Sequence, residues 1–125
     1  MNTQPITDIM THQVRFIDID EDLTVAKGIM NTYEIHDLTV LENKKLVGML
    51  SWNDIRRVEF LLDFIGQKLN ERTVFKALSV EEMMTADLQS LTTGATIAEA
   101  VQVFSNASFQ SLPITENGEL VGIVT

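Results

Sequence analysis

"LVGMLSWND", residues 46–54, decides the fold, because its first three residues return as "LVGIVT" at 120–125. The return is not isolated. Thr85 lies 74 residues after Thr11, and that offset runs without a gap to the end of the chain. On it "IMT" at 9–11 meets "MMT" at 83–85, Ala26 meets Ala100, Leu38 meets Leu112, and Glu42 and Asn43 meet Glu116 and Asn117. Elsewhere side-chain size and polarity persist, as in Val14 with Leu88, Ile17 with Leu91, Leu23 with Ile97 and Val40 with Ile114. Self-similarity at one fixed period marks a tandem duplication.

Each copy reads in the same order. A short strand over 14–17, or 88–91, is followed by a helix that buries Leu23, Ala26, Met30 and Tyr33 in copy one, and Ile97, Ala100 and Phe104 in copy two. Asp22 stands at the first helix cap, and Thr96 with Glu99 forms a capping box at the second. "LTVLENKKLVGML" at 38–50 and "LPITENGELVGIV" at 112–124 then read as hairpins. The second carries Asn117-Gly118, the pair favoured where both central residues of a turn need positive φ. One copy of about fifty residues closes a core with difficulty, so the two copies are expected to share one. Between them a helix is expected from Asn53 to about Asn70, with Ile55, Val58, Leu62, Ile65 and Leu69 as its apolar stripe. Phe60, Leu61 and Phe64 widen that stripe, which suits either a core helix or a face that meets a second chain.

Composition narrows the function classes. The 125 residues amount to 14.0 kDa, near the size of one domain, with 45% hydrophobic and 22% charged residues, which is ordinary globular usage. A net charge of −9 repels a phosphate polyanion, so nucleic acid is a poor partner, although a few local donors can still hold a small nucleotide. The absence of cysteine removes disulfides, thiolate metal sites and cysteine nucleophiles together. Early acids (Asp8, Asp18, Asp20, Glu21, Asp22) leave no readable secretory signal, no apolar run is long enough to span a membrane, and a cytoplasmic location is expected.

The repeat resembles the cystathionine-β-synthase (CBS) domain family, in which two such copies form one module. The resemblance rests on "ITDIMT" and "VEEMMT" ahead of each repeat, on "HDLTV" and "QSLPI" entering the second strand, and on the closing Gly, two apolar residues, Ser or Thr, two variable residues and Asp. Gly48, Ser51 and Asp54 complete that closing pattern. Thr39 departs from it where copy two has Pro113, and copy two stops at Thr125, before its acid and closing helix; the native chain is therefore expected to continue. The resemblance implies an α+β fold of two pseudo-symmetric β-α-β-β-α repeats packed face to face, with the second incomplete. The expected divisions are 1–57 for the first repeat, 58–78 for the linker helix and connector, and 79–125 for the second repeat.

An ionised carboxylate accepts hydrogen bonds from both hydroxyls of a ribose, and Asp54, with Ser51 beside it, is the candidate for that role. Ser51-x-x-Asp54 also reads as a helix capping box with no ligand at all. Arg56 and Arg57 suit either phosphate or plain solvent. Carried over by the resemblance, the Asp54 site is completed by Thr85, Leu88, Gln89, Gln110 and Ser111. A pseudo-symmetric site would use Thr11, Val14, Arg15, His36, Asp37 and Thr125, and is expected to be weak because it lacks an acid and Asp37 repels phosphate.

Other patterns carry less. "DIDED" at 18–22 alternates acids like a calcium loop, yet Leu23 replaces the required glycine and Ile29 the closing glutamate, so it reads as a solvated loop. His12 and His36 lack metal-ligand spacing, and Met10, Met83 and Met84 read as packing. The resulting expectation is a regulatory module, not an enzyme, with no required cofactor and no metal. AMP, ADP, ATP or S-adenosylmethionine is the expected regulatory ligand, a homodimer through the CBS pairs and linker helix the expected assembly, and the regulated protein is not identified. The alternative is a ligand-free dimerisation module of the same fold; a small hydrolase or transferase would need a nucleophile–base pair that the sequence lacks.

Overall fold

The computed structural model describes residues 3–65, 70–105 and 110–125, which fall into two compact units. The first repeat contributes β1 (Phe16–Asp18), α1 (Leu23–Tyr33), β2 (Asp37–Glu42), β3 (Lys45–Ser51) and α2 (Trp52–Ile65). Then come α3 (Glu71–Ala77) and α4 (Val80–Met83), followed by the second repeat: β4 (Leu91–Thr92), α5 (Ile97–Ser105), β5 (Leu112–Glu116) and β6 (Glu119–Val124). The fold is α+β and the duplication is plain in it. β1 pairs parallel with β2, which aligns Ile17 with Val40, and β4 pairs parallel with β5, which aligns Leu91 with Ile114. In each case the helix between the parallel strands is the crossover such pairing requires.

The units do not coincide with the repeats. One unit joins Arg15–Glu42 to Val47–Asp87, and the other joins Met1–Val14 and Asn43–Leu46 to Leu88–Thr125. The segment ahead of each repeat therefore packs with the other repeat. Thr85 N–H donates to Met49 O and Met49 N–H to Thr85 O, both at 2.9 Å. Seventy-four residues away the same exchange recurs, with Thr11 N–H to Ile123 O at 2.8 Å and Ile123 N–H to Thr11 O at 3.0 Å. Val80 N–H reaches Glu21 O at 2.9 Å, as Ile6 N–H reaches Ala95 O at 2.9 Å. Ile6, in a 3₁₀ turn over Ile6–Asp8, and Val80 are both fully buried.

This exchange explains the repeated glycine. A Cβ on Gly48 would stand 2.4 Å from Met84 Sδ and 3.0 Å from Thr85 O, and one on Gly122 would stand 2.4 Å from Met10 Sδ. Each glycine thus admits a methionine from the segment that precedes the opposite repeat. Space, and not backbone conformation, requires glycine here.

The buried residues form two clusters in place of the single shared core expected from the sequence. Ile17, Ile19, Leu23, Ala26, Met30, Leu38, Val40, Leu50, Ile55, Val58, Phe75 and Val80 make one, and Ile6, Ala95, Ala100, Leu112 and Ile114 the other. The exchanged segments supply Val80 and Ile6, so each cluster closes without needing a common centre. Tyr33 is a second departure: it is exposed, and the Arg15 guanidinium lies over its ring 3.8 Å from the centroid.

Local signals mostly hold. Asp22 Oδ1 caps α1 by accepting from Thr24 N–H at 2.8 Å, and Glu99 N–H donates to Thr96 Oγ1 at 3.2 Å at the start of α5. Asn117 and Gly118 take φ of 54° and 81°, and Glu116 pairs with Glu119 across them. Asn43 and Lys44 repeat that left-handed pair, at 50° and 70°, without any glycine. The linker helix begins one residue early. Residues 66–69, Leu69 among them, lie outside the described residues, so the expected end of the linker helix falls there; Asn70 caps α3 by accepting from Thr73 N–H.

Three helices of one unit are tied by Lys27. Its ammonium on α1 lies 2.8 Å from Glu59 on α2 and 2.6 Å from Glu71 on α3. The hydrogen bond to Glu59, then that to Glu71, raises the Lys27 pKa above its ordinary 10.5 against a smaller lowering by burial. A lysine whose pKa is higher folded than unfolded stabilises fully below the unfolded value and loses that contribution as pH climbs through the folded one.

Two predictions follow from packing and charge. Gly48→Ala should destabilise the protein by about 1–3 kcal/mol, and by more than Gly122→Ala, whose added methyl has atoms of a flexible methionine as its nearest neighbours where that of Gly48 also meets the Thr85 backbone oxygen. In a double-mutant cycle read by urea unfolding, Gly48→Ala with Met84→Ala should lose less than the two single losses together. Lys27→Met should cost about 1 kcal/mol at neutral pH. In thermal unfolding scans its deficit against the wild type should shrink as pH rises beyond 10.5; a deficit independent of alkaline pH would rule out the ammonium as its source.

Candidate functional site

β3 runs directly into α2, and this junction carries the candidate site. The Asp54 side chain sits in the first turn of α2, and the residue is 6% exposed. Its Oδ2 accepts from Ser51 N–H at 2.8 Å and from Ser51 Oγ at 3.0 Å, and its Oδ1 accepts from Arg57 Nη1 at 2.9 Å. Three donors thus converge on one carboxylate. An ionised carboxylate offers about four acceptor directions, so one remains on Oδ1. Trp52 N–H, the first of α2, donates to His36 O at 2.7 Å. That bond seats the entry of β2, with His36 and Asp37, against the β3–α2 junction.

Thr85 joins the same unit through its bridge to Met49, two residues before Ser51. Ser51, Asp54, Arg57, Thr85, His36 and Asp37 are thereby gathered around one strand end. Arg15 belongs to this unit too, with its guanidinium over Tyr33 and its carbonyl accepting from Thr39 Oγ1 at 3.0 Å. The buried hydroxyl of Thr39, where copy two carries Pro113, takes its place in the strand entry by bonding to the chain ahead of β1. Arg56 is exposed, and its position in α2 puts it on a different helix face from Asp54.

The other unit repeats the arrangement with the copies interchanged. Leu112 pairs with Val124, which sets Ser111 near Thr125, and Thr11 is bridged to Ile123. Ser111 is buried, Leu88 and Val14 are half-buried, and Gln89, Gln110, Thr11 and Thr125 are exposed. Leu88, Gln89, Gln110 and Ser111 fall in the same unit as Thr11, Val14 and Thr125, and Ser51, Asp54, Thr85, Arg15, His36 and Asp37 fall in the other.

Sequence reasoning missed the stacking of Arg15 on Tyr33 and the hold of Arg57 on Asp54. The second had a signal, since Asp54 and Arg57 stand three residues apart on a helix, the spacing at which side chains meet. The first had none, because the two residues are eighteen positions apart and adjoin only when α1 folds back on the strand.

The sequence matches the family model for the CBS domain over residues 6–60 and 80–125, and the chain belongs to the CBS domain family. It is 28% identical over 114 residues to an inosine-5'-monophosphate dehydrogenase of Staphylococcus epidermidis, a match that covers 88% of this chain and 20% of that protein. It is 29% identical over 109 residues to the CBS domain-containing protein CBSCBSPB5 of Arabidopsis thaliana, covering 86% of this chain and 18% of that one. The chain thus spans about one fifth of the length of these curated relatives. Among solved structures, CBSX2 in complex with AMP superposes with a TM-score of 0.80 at 19% identity, covering 98% of this chain and 90% of that one. At such identity the likeness establishes the fold. The chain is a CBS pair, and among the described residues no helix is long and apolar enough to cross a membrane.

The carboxylate of Asp54 also has a structural task that can be measured. Asp54→Ala strips the partner from Ser51 N–H and should lower stability by about 1–2 kcal/mol. Asp54→Asn keeps an accepting oxygen and should lose less than half of that in the same urea titration. Equal losses would mean that the hydrogen bonds to Ser51 contribute nothing.

Proposed function

We propose that this CBS pair is a regulatory module that binds an adenosine-containing ligand, with Asp54 gripping the ribose diol. One observation carries the reading: a nearly buried carboxylate at a strand–helix junction, aimed by Ser51 and Arg57. In this reading the diol takes the remaining acceptor direction of Oδ1 and displaces the Ser51 hydroxyl, while Ser51 N–H holds the carboxylate in place. Arg57 swings from Asp54 to the ligand phosphate, a charge-assisted exchange of one anion for another. Thr85, bridged to Met49 two residues before Ser51, is assigned to the same site. Leu88, Gln89, Gln110 and Ser111 complete the site around the base. The family relationship supports this assignment, as does the AMP held by CBSX2, a protein of the same fold.

The pseudo-symmetric site is proposed as the weaker one, since Asp37 brings a negative charge toward a bound phosphate. The boundaries proposed for the repeats and linker remain 1–57, 58–78 and 79–125, and a cytoplasmic location suits the module. Ligand binding would shift the population between two arrangements of the module by its difference in affinity for them, and so report to a regulated protein. No chemistry on the ligand is proposed.

A second reading has its own support. The three donors on Asp54 satisfy it largely without a ligand, and the outer face of α2 is apolar. Both suit a dimerisation module in which Ser51 and Asp54 only order the helix start.

Isothermal titration with AMP, ADP, ATP and S-adenosylmethionine separates the two. At least one should bind the wild type, and Asp54→Asn, which keeps the fold, should weaken that ligand by about tenfold or more. Absence of heat with all four would favour the dimerisation module; unchanged affinity in Asp54→Asn would remove the carboxylate from the site.

A further inference from the structure

The two repeated glycines each hold a methionine sulfur in a crowded place. A Cβ on Gly48 would stand 2.4 Å from Met84 Sδ and 3.0 Å from Thr85 O, and one on Gly122 would stand 2.4 Å from Met10 Sδ and 2.9 Å from Met10 Cγ. Each thioether therefore fills the space that a side chain on the glycine would take. Gly48 and Met84 belong to one unit, Gly122 and Met10 to the other. Both methionines are half-buried, so each keeps part of its surface in solvent, whereas Met30 is 2% exposed. The chain has no cysteine, so no thiol of its own intercepts an oxidant ahead of the thioethers.

The backbone beside each sulfur has its N–H groups committed. Thr85 N–H donates to Met49 O, Met49 N–H to Thr85 O and Met84 N–H to Val80 O, all at 2.9 Å. In the other unit Thr11 and Ile123 exchange their N–H groups in the same way, and Met10 N–H donates to Ile6 O at 3.2 Å. A thioether suits these surroundings because it asks for almost no hydrogen bonding. Oxidation converts it into a polar, chiral sulfoxide whose oxygen needs donors. Directed at the glycine, that oxygen meets backbone where a Cβ has no room. Directed elsewhere, it takes its hydrogen bonds from water, which draws the side chain off the glycine. Either way the bridge beside the glycine loses the contact that covers it.

We propose that Met84 and Met10 are oxidation sites, one in each unit, at which a peroxide converts the thioether to the sulfoxide and so opens the adjoining Thr85–Met49 or Thr11–Ile123 bridge. In the forward step a sulfur lone pair attacks one peroxide oxygen, the O–O bond breaks, the sulfur is oxidised by two electrons, and hydrogen peroxide leaves as water. In the reverse step two thiols become a disulfide while the sulfoxide oxygen departs as water. Those thiols come from a separate thiol-dependent reductase, since the chain has no cysteine. Thr85 follows Met84 directly, yet the inference holds with or without an adenosine ligand at that place.

Hydrogen peroxide applied to the folded 125-residue chain tests it, with peptide mass spectrometry to place the added oxygen and amide hydrogen exchange to read the bridges. Oxygen should enter at Met84 and Met10 while Met30 stays reduced. In the oxidised chain, exchange at the Thr85, Met49, Thr11 and Ile123 amides should quicken by about tenfold or more. Methionine sulfoxide reductases for both epimers, supplied with a dithiol, should return it to the starting rate. Met84→Leu keeps an apolar side chain of similar volume and should confine the response to Thr11 and Ile123; Met10→Leu should confine it to Thr85 and Met49. This locality separates the opening of one bridge from loss of the fold, which would speed all four amides in either variant. Failure of Met84 and Met10 to oxidise in the folded chain, oxidation with unchanged exchange at the bridges, or a response that the leucine variants leave unaltered would each overturn the proposal.

Discussion

Two methionine–glycine contacts hold this architecture together. Met84 presses on Gly48 and Met10 on Gly122, at distances that leave no room for a Cβ. Around each contact the backbone closes a two-bond bridge, Thr85 with Met49 and Thr11 with Ile123. The consequence is that neither repeat is finished by its own residues. Each strand that carries the "LVG" motif receives the segment preceding the opposite repeat, and each buried cluster takes one isoleucine or valine from it. A single copy cut at the repeat boundary would lose Val80 from one cluster or Ile6 from the other, and would expose the strand edge that the bridge covers. Small domains are marginal in any case, so the duplication is a condition of stability here as well as a record of descent.

Much of this was legible from residue spacing. The offset of 74 residues fixed the pairing of equivalent elements, the caps at Asp22 and Thr96 marked helix starts, and Asn117-Gly118 announced the second hairpin turn. What escaped was non-local. The connector between the repeats holds α3 and α4, whose caps Asn70 and Ser79 were not read as helix starts. Tyr33 falls on the apolar stripe of α1 by period, yet its ring stays at the surface beneath a guanidinium from a distant position. The shared core failed as an expectation because periodicity reports which side chains are buried and not which segment buries them. The exchange was nevertheless written in the sequence, as glycine and methionine repeated at the same offset; what was missing was the knowledge that the two repeated residues touch.

The candidate site shows the same division. Residue types and spacing single out Ser51 and Asp54, because a hydroxyl and a carboxylate three residues apart at a helix start are brought within hydrogen-bond reach by the helix itself. The neighbours contributed by other segments follow from the bridges. Thr85 reaches the junction because of its bonds to Met49, and His36 because its carbonyl accepts the first N–H of α2. Each unit therefore presents one strand end and one threonine from the exchanged segment, and the unit that holds Asp54 adds the start of α2. This repeated grouping gives the module two places of similar build, distinguished chemically by what stands at the strand entry: Asp37 in one copy and Ser111 in the other.

Under the proposed function Asp54 would serve two tasks that compete, and the competition would constrain how a ligand acts. Its carboxylate orders the start of α2 by accepting from Ser51 N–H, a bond that a ligand can leave intact. The bonds from Ser51 Oγ and Arg57 involve side chains that can turn away, so in that proposal a diol would bind by replacement, and the net gain would be the difference between two sets of charged hydrogen bonds. That difference is smaller than the gross strength of either set, which suits reversible sensing over tight capture. Replacement also frees Arg57, a residue on the same helix as Phe60 and Phe64. Arg57 therefore sits on the same helix as both the carboxylate and the exposed rings, and under the proposal a ligand that displaced it would act directly on that helix.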